Sequence, residues 1–394
     1  MKILFIEWES YGYQDIKEAF AEEGHQLICF PFQVFGHQGE ELLQDPETED
    51  RLCAVLHREV PDVLFSVDYY PVISRVCQKE GIRYLSYSYD CPHILLYSET
   101  IKNSCNTAYV FDKKTCQEYR REGISTVHYL PLAANTERLD AMDRKLPDRP
   151  SFAYDVSFVG SLYLEKGNYF DQIEPLLPEY TRGYLKALIA VQMGLQGCDL
   201  VREMMRPMLN DLYRAYPVGA MRDSLEPAGY FYEQFMIKRR ITAIERLELL
   251  EAVSEKYGAD LFTHMQDFSM ENLRNHGSVE YLHEMPLVFK QSRINLNITL
   301  RSIGSGIPLR AFDIMGAGGF LLSNYQADFL DHFVPGEDFV YYENKEDLLR
   351  KIDYYLRHEN ERKNIAQNGH DKVAAKHTYR HRVREMLDFE HGRA

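Results

Sequence analysis

The feature that most constrains this chain is the alternation of short apolar runs with helix-like segments over its first 140 residues. The runs are rich in β-branched and aromatic residues and are predicted strands. They cover Ile3–Trp8, Gln26–Phe32, Val63–Val67, Tyr84–Tyr89, Thr107–Phe111 and His128–Leu130. The helices predicted between them cover Tyr13–Glu23, Glu40–Glu59, Pro71–Glu80 and Lys113–Glu122. Repeated βα units fold into a parallel sheet with helices on its faces, so an α/β domain is expected over residues 1–140.

A second α/β domain is predicted over residues 151–376. The charged stretch Asn135–Pro150 contains two prolines and suits a linker before it. The predicted strands are Tyr154–Val159, Asp260–Thr263, Ser278–Tyr281, Ile294–Ile298, Gly319–Ser323 and Phe339–Tyr341, and the predicted helices are Pro286–Gln291, Pro308–Met315, Lys345–His358 and Glu359–Ala375. Residues 168–256 show helical patterns without strand signals, which predicts a helical insertion.

Charge and composition exclude several functional classes. Sixty acidic residues against 45 basic ones give a net charge of −15, which opposes binding to nucleic acid or an anionic membrane. No apolar run approaches the roughly 20 residues of a membrane span, and the first residues lack a signal-peptide pattern. The seven scattered cysteines form no Cys-x-x-Cys pair and are typical of reduced thiols. We therefore expect a cytoplasmic protein that acts on a small or neutral substrate.

The segment Asn295–Asn324 carries the strongest chemical signal. A buried strand leads into a Gly-Ser-Gly turn, residues 304–306, and then into a helix that starts near Pro308. Free amides and the positive end of that helix favour an anion above the turn. Gly304, Ser305 and Gly306 are therefore candidates for binding a diphosphate, because glycine lets the main chain approach it closely.

Three charged side chains extend this candidate site. Arg301 and Arg310 carry planar guanidinium groups that can donate paired hydrogen bonds to phosphate oxygens, although either could instead form a salt bridge. Asp313 lies one helical turn after Arg310, so both project to one side of the helix. A carboxylate in this position can accept hydrogen bonds from both ribose hydroxyls.

This pattern resembles the C-terminal domain of GT-B glycosyltransferases. Asp-Ile-Met-Gly-Ala-Gly, residues 313–318, occupies the place of Glu-Ala-Met-Ala-Cys-Gly in that family, whose helix carboxylate holds the nucleotide ribose. The resemblance assigns this role to Asp313, and Ser305 stands where the family has an acidic residue that contacts the donor sugar. It also implies two Rossmann-like domains with a cleft between them, and a C-terminal helix, residues 377–394, that returns to the first domain.

A closer resemblance is to the spore-maturation CgeB-like proteins, whose C-terminal half is a group 1-like glycosyltransferase domain. The phrases DVSFVGSLY, PLVFKQSRINLNIT and GIPLRAFDIMGAGGFLLSN carry this resemblance. They span most of residues 151–390, outside the helical insertion. The match implies the fold and a nucleotide-sugar substrate.

The turn Phe158–Gly167 is a second candidate for contact with the donor. Sugar-nucleotide enzymes of this shape often have Gly-Arg-Leu followed by Lys-Gly here, and this chain keeps Gly160 and Lys166 but has Ser161 in place of the arginine. Lys166 could neutralise a diphosphate leaving group or could be a solvated loop residue. The sequence has no Asp-x-Asp and no recognisable zinc spacing, so we expect no metal and no cofactor other than the donor.

Acceptor activation is expected at loops that follow strands of the first domain. Glu9 lies in WESYG, and Asp90 and His93 lie in YSYDCPH. A carboxylate or an imidazole there can take a proton from an acceptor hydroxyl, with Asp90 as the first candidate. The alternative is that Asp90 caps the next helix and His93 is a surface residue. His264 and Glu284 are further candidates for contacts with the nucleotide.

These observations predict a glycosyltransferase of the hexosyltransferase type. It would move a sugar from a nucleotide-diphosphate donor, with UDP as the expected nucleotide, to the hydroxyl of an unknown acceptor. Two alternatives stay open: an epimerase or another GT-B enzyme, and a sugar-nucleotide-binding or assembly protein without catalysis.

Overall fold

The structure is a computed structural model that describes residues 1–33, 45–145, 152–164, 168–219 and 223–391. Its strands are β1 Lys2–Glu7, β2 Gln26–Pro31, β3 Val63–Val67, β4 Arg83–Ser88, β5 Asn106–Val110, β6 Val127–Tyr129, β7 Tyr154–Val159, β8 Ala259–Phe262, β9 Leu273–Asn275, β10 Ser292–Asn297, β11 Leu321–Asn324 and β12 Val340–Tyr342. Its α-helices are α1 Tyr13–Glu22, α2 Pro46–Glu59, α3 Pro71–Glu80, α4 Lys113–Arg121, α5 Thr136–Ala141, α6 Tyr169–Ile173, α7 Glu179–Met193, α8 Val201–Met205, α9 Leu209–Ala215, α10 Lys238–Tyr257, α11 Met285–Gln291, α12 Leu309–Gly316, α13 Phe329–His332, α14 Lys345–Arg357, α15 Glu359–Lys376 and α16 Tyr379–His391.

The chain divides into two compact units. The first unit contains Met1–Leu132, Gly219–Ala228 and His377–Ala394, and the second contains Ala133–Val218 and Gly229–Lys376. Residues 133–140, which the sequence assigned to the first domain, group with the second unit. Among the described residues, no helix is both long enough and apolar enough to cross a membrane.

The first unit is built on a six-stranded parallel sheet in the order β2-β1-β3-β4-β5-β6. Its strands β3 and β5 are buried along their whole length because helices cover both faces of the sheet. Helix α16 packs on α1. Its Arg380 and Arg384 form ion pairs with Glu23 at 2.7 and 2.6 Å.

The second unit also contains a six-stranded parallel sheet, in the order β9-β8-β7-β10-β11-β12. Counted from β7, this is the 3-2-1-4-5-6 order of doubly wound dinucleotide-binding folds. Its core includes Val156 and Phe158 of β7, Ile294 and Leu296 of β10, and Leu322 of β11, all at most 1 % exposed. These side chains bury one face of the sheet against neighbouring helices.

The predicted helical insertion is confirmed between β7 and β8, where helices α6 to α10 lie. It has an apolar core of its own, with Leu185, Leu212, Met236 and Ile241 fully buried. Helix α10 is preceded by a π-helical segment, Tyr232–Ile237.

The structure corrects two local predictions. Residues 278–281 form no strand, and the short strand β9 lies earlier, at Leu273–Asn275. The stretch proposed as a linker contains α5, because the Asn135 side chain accepts a hydrogen bond from the Arg138 amide and caps the helix. Residues 146–150 of that stretch, and residues 40–44 of the predicted second helix, lie outside the described residues.

Candidate functional site

The strand order of the second unit places a ligand crevice at the carboxyl ends of β7 and β10. These strands are neighbours, and the chain runs to β8 on one side and to β11 on the other. Open α/β sheets bind ligands where the strand order reverses in this way, because the loops diverge there and leave a gap. Gly160 follows β7, and the segment 298–308 follows β10 and leads into α12.

Arg310 lies at this reversal point. Its Nη1 donates to the Asn297 side-chain oxygen at 3.2 Å, and its guanidinium carbon lies 5.2 Å from the centre of the Phe158 ring. A Cβ built on Gly160 would lie 2.6 Å from Arg310 Nη2, so only glycine lets the guanidinium pass the end of β7. Arg310 is half-buried and belongs to the first turn of α12, where the helix dipole also favours an anion. The position of Arg310 beside Gly160 is therefore compatible with the predicted phosphate contact.

Arg246 of α10 holds the two loops of the crevice together, and the sequence did not single it out. Its Nη1 donates to the Ser161 carbonyl, and its Nε and Nη2 donate to the Ile298 carbonyl at 3.2 and 2.6 Å. The side chain is 2 % exposed. The sequence spacing does indicate that Arg246 is buried, because it lies four residues after Thr242 and four before Leu250 on the buried face of α10. A cation within an apolar stripe needs partners inside the fold.

Asp313 lies one turn beyond Arg310 in α12 and is 3 % exposed. The Tyr281 hydroxyl donates to Asp313 Oδ1 at 3.3 Å. Sequence reasoning missed Tyr281 as a site residue because it assigned residues 278–281 to a strand, whereas they form an irregular loop that reaches α12. The structure thus places Tyr281 beside the carboxylate that was predicted to hold a ribose.

The Gly304–Gly306 bend is less accessible than the sequence suggested. Gly304 is half-buried, and Ser305 and Gly306 are buried. The Ser305 carbonyl accepts a hydrogen bond from the Asp328 amide at 3.0 Å. Ser161 Oγ accepts from the Tyr163 amide at 3.0 Å and orders the loop after β7, while Lys166 lies outside the described residues.

Arg301 has a structural role that differs from the predicted phosphate contact. Its Nε lies 2.8 and 3.0 Å from the Glu245 carboxylate oxygens, its Nη2 pairs with the same carboxylate, and its Nη1 donates to the Leu195 carbonyl at 2.8 Å. The side chain is only 13 % exposed, because α7 and α10 enclose it. These contacts occupy the guanidinium donors and anchor the loop after β10 to the helical insertion. The salt-bridge alternative is therefore the one that the structure supports.

Two further candidates for the nucleotide differ in their surroundings. Glu284 Oε2 accepts a hydrogen bond from the Glu280 amide at 2.7 Å and closes the turn before α11. His264 is exposed after β8. Glu284 therefore has a structural contact, whereas the contact of His264 with the nucleotide stays a prediction.

The first unit has its own reversal point between β1 and β3, where the Trp8 indole donates to the Val67 carbonyl at 3.0 Å. Asp68 follows β3, and Asp90 and His93 follow β4. One potential ligand atom from each of these three side chains lies within 4.8 Å of the other two. The structure therefore joins the predicted Asp90 and His93 with an acidic residue that sequence reasoning missed.

Asp68 is the buried member of this group, which we call the Asp68–Asp90–His93 cluster. It is 2 % exposed, and its Oδ1 accepts hydrogen bonds from the Tyr89 and Asp90 amides at 2.9 and 3.2 Å. Burial, and then the nearby charge of Asp90, raise the pKa of the Asp68 carboxyl to about 7.

The other predicted acceptor residues differ in exposure. Asp90 is exposed, and the next helical turn begins at Ile94 with His93 in the cap position, so Asp90 is not a helix cap. Glu9 is exposed after β1 and is not a member of the cluster.

Comparison with known proteins agrees with this architecture. A family model described as glycosyl transferase-like matches residues 239–388, which is less than half of the chain but includes β10, α12 and their connecting loop. A search of curated proteins gives no match.

Solved structures resemble the chain over nearly its whole length. Sucrose-phosphate synthase from Thermosynechococcus elongatus has 12 % identity and a TM-score of 0.54, and the match covers all of both chains. A glycosyltransferase from Rickettsia africae has 11 % identity and a TM-score of 0.52, with 98 % of this chain and 97 % of that chain covered. HepE from Anabaena, in complex with UDP and glucose, has 9 % identity and a TM-score of 0.52, with 98 % and 99 % covered.

At these identities the likeness concerns the fold alone. Together with the two parallel six-stranded sheets, it confirms the predicted α/β fold of the GT-B type with Rossmann-like topology. The narrower resemblance to the CgeB-like proteins stays a prediction. The chain thus has the fold of GT-B glycosyltransferases, and its C-terminal part is similar to the glycosyl transferase-like family.

Proposed function

We propose that this protein is a glycosyltransferase that transfers a hexosyl group from a UDP-sugar to an acceptor hydroxyl. The observation that carries the proposal is the half-buried Arg310, held by Asn297 beside Gly160 at the strand reversal of the second unit. Doubly wound sheets bind nucleotides at this position. UDP is the proposed nucleotide because a solved structure of similar fold contains UDP and glucose.

In this proposal the two charged groups of α12 have separate roles. Arg310 donates hydrogen bonds to the diphosphate and stabilises the charge that develops on UDP as the glycosidic bond breaks. Asp313, assisted by Tyr281, accepts hydrogen bonds from the ribose hydroxyls. The leaving diphosphate then needs no metal ion, because a guanidinium and the amino end of a helix supply the positive charge.

Acceptor activation is proposed at Asp90 and His93 of the first unit. Asp90 is exposed and His93 is half-buried, so both can meet a hydroxyl group from solvent. The acceptor loses its proton at this cluster as the new bond forms. Accordingly, Asp90→Asn should lower transfer without changing the affinity for UDP.

The test combines binding and turnover in the presence of a chelator. Calorimetric titration with UDP should give a Kd that rises about 10- to 100-fold in Arg310→Met and about tenfold or more in Asp313→Ala, the loss expected for charge-assisted hydrogen bonds. Arg350→Ala is the matched control, because this exposed arginine of the same unit pairs, among the described residues, with Asp347 on α14 alone.

Turnover separates an enzyme from a binding protein. Wild-type protein with UDP-glucose and a panel of hydroxyl acceptors should release UDP, and Arg310→Met should abolish this release. UDP binding without any release of UDP would instead support the binding or assembly protein. UDP binding that Arg310→Met leaves unchanged would refute the proposed site.

A further inference from the structure

Asp90 and His93 of the Asp68–Asp90–His93 cluster are the proposed acceptor-activating residues, whereas Asp68 has no part in the proposed sugar chemistry. Two carboxylates and one imidazole each contribute one potential ligand atom, all within 4.8 Å of one another. They come from two loops, after β3 and after β4, that meet because these strands are neighbours in the sheet. Spacing within single segments predicted no metal, because Asp68 lies 22 positions before Asp90 and 25 before His93.

Asp68 is a buried residue whose carboxylate has one oxygen left for a ligand. Its Oδ1 accepts hydrogen bonds from the Tyr89 and Asp90 amides, whereas its Oδ2 receives no hydrogen bond from any residue that the structure describes. The residue is 2 % exposed and lies beside a second carboxylate. A buried carboxylate is unfavourable unless a proton or a cation compensates its charge.

The arrangement around His93 matches the outer contacts of a metal ligand. Its Nε2 lies 2.8 Å from the Tyr69 carbonyl oxygen and 3.2 Å from the Tyr69 amide nitrogen, and in the tautomer in which Nε2 donates to the carbonyl, Nδ1 keeps its lone pair. Metal-binding histidines commonly donate their second ring nitrogen to a carbonyl group, which fixes the tautomer and the ring orientation. The hydrogen bonds from the Tyr89 and Asp90 amides to Asp68 Oδ1 likewise fix the orientation of that carboxylate.

Asp90 completes the set from the solvent side. It is exposed, and within the described part of the chain its carboxylate accepts no hydrogen bond. It can therefore turn toward an ion without breaking a contact. The open side leaves positions for water or for a hydroxyl group, as in sites with three protein ligands.

We propose that Asp68, Asp90 and His93 bind one divalent transition-metal ion of the Mn²⁺ type. Carboxylates favour hard ions such as Mn²⁺, and the imidazole disfavours Mg²⁺ and Ca²⁺. The bound ion neutralises the charge of the Asp68 carboxylate. The proposal stands independently of the UDP site, which belongs to the second unit.

The test is calorimetric titration of untagged protein with MnCl₂ in the absence of nucleotide. Mn²⁺ is the suitable probe because the seven cysteines would also take up zinc. We expect one Mn²⁺ per chain, with a Kd that rises at least about tenfold in Asp68→Asn, Asp90→Asn and His93→Gln. Electron paramagnetic resonance of the bound Mn²⁺ should lose its signal in the same variants.

Asp62→Asn is the matched control. Asp62 precedes β3 at the end opposite to Asp68, is exposed, and accepts the Lys2 amide at 2.7 Å, which asparagine can also do. Its Mn²⁺ affinity should equal that of the wild type. Asp90→Asn changes only an exposed side chain, so it tests the site without threatening the fold. Wild-type protein that binds no Mn²⁺, or Asp90→Asn that binds it as tightly as wild type, would overturn the proposal.

Discussion

At the residue scale, Gly160 controls the position of Arg310. Its φ of 153° lies in a region that side chains rarely adopt, and an added Cβ would lie 2.6 Å from Arg310 Nη2. Gly160→Ala should displace the guanidinium and raise the Kd for UDP about tenfold or more, with a loss of about 1–3 kcal/mol in unfolding free energy. Titration with UDP and urea unfolding measure the two effects.

Gly81 provides the control for backbone strain. It caps α3 in the first unit with φ 70°, and no atom of the residues that the structure describes lies within 4 Å of a built Cβ. Gly81→Ala should cost about 1–2 kcal/mol of stability through its left-handed backbone and leave UDP binding unchanged. If Gly160→Ala and Gly81→Ala had the same Kd for UDP, Arg310 would not be the phosphate ligand that we propose.

Individual residues differ in how far the sequence could predict their surroundings. The relative positions of Arg310 and Asp313 could be predicted because both lie on one short helix after a glycine turn, where sequence spacing determines geometry. The salt bridge of Arg301 could not be predicted from the local sequence, because its partner Glu245 lies 56 residues away in the insertion. Asp68 follows a buried strand just as Asp90 does, but its approach to Asp90 depends on the strand order, which a single segment does not contain.

At the element scale, Arg246 joins the carboxyl ends of β7 and β10. Arg246→Met would fill a similar volume but leave the Ser161 and Ile298 carbonyls without this donor. We expect a loss of about 2–4 kcal/mol in unfolding free energy, because buried carbonyls without a partner are costly. Urea unfolding followed by circular dichroism checks this value.

Arg293→Met is the matched control for that substitution. Arg293 joins β10 to Asp155 of β7 at their amino ends, at 3.0 Å, where Asp155 is largely exposed. Surface pairs of this kind contribute about 1 kcal/mol or less. Equal losses in the two variants would show that Arg246 has no special role at the crevice.

Helix α16 should be held on α1 in a pH-dependent way. The hydrogen bond from Arg384, reinforced by Arg380, lowers the pKa of Glu23 below its ordinary value of 4.5. Because the folded pKa is the lower one, the stabilisation is complete above pH 4.5 and is lost as the pH falls through the folded pKa. Glu23→Gln should therefore lower the unfolding free energy by about 1 kcal/mol or less at neutral pH.

The pH test compares urea unfolding of wild type and Glu23→Gln at neutral pH and well below pH 4.5. The difference between them should close at the lower pH. Glu22→Gln is the control, since Glu22 approaches Arg380 only to 3.8 Å and should show a smaller effect. A difference that persists unchanged in acid would contradict this role of Glu23.

At the scale of the whole molecule, the sequence predicted the two parallel sheets and most of their strands. A buried parallel strand such as β3 is a nearly continuous apolar run, so local pattern suffices to find it. Short strands at the sheet edge are harder to predict. β9 has only three residues, none of them buried, and its pattern resembles a loop.

The exposure of the Gly304–Gly306 bend could not be read from its sequence. Burial depends on which segments cover a turn, and glycine and serine are compatible with either environment. The site prediction for this strand, turn and helix therefore overestimated the accessibility of the amides in the bend, and it did not include Arg246 or Tyr281.

A crystal structure of the protein with UDP would show whether the second unit binds this nucleotide at the reversal between β7 and β10. Diphosphate oxygens should lie within hydrogen-bond distance of Arg310 beside Gly160, and the ribose hydroxyls should contact Asp313. A UDP molecule bound elsewhere, with no contact to Arg310 or Asp313, would rule out the proposed site.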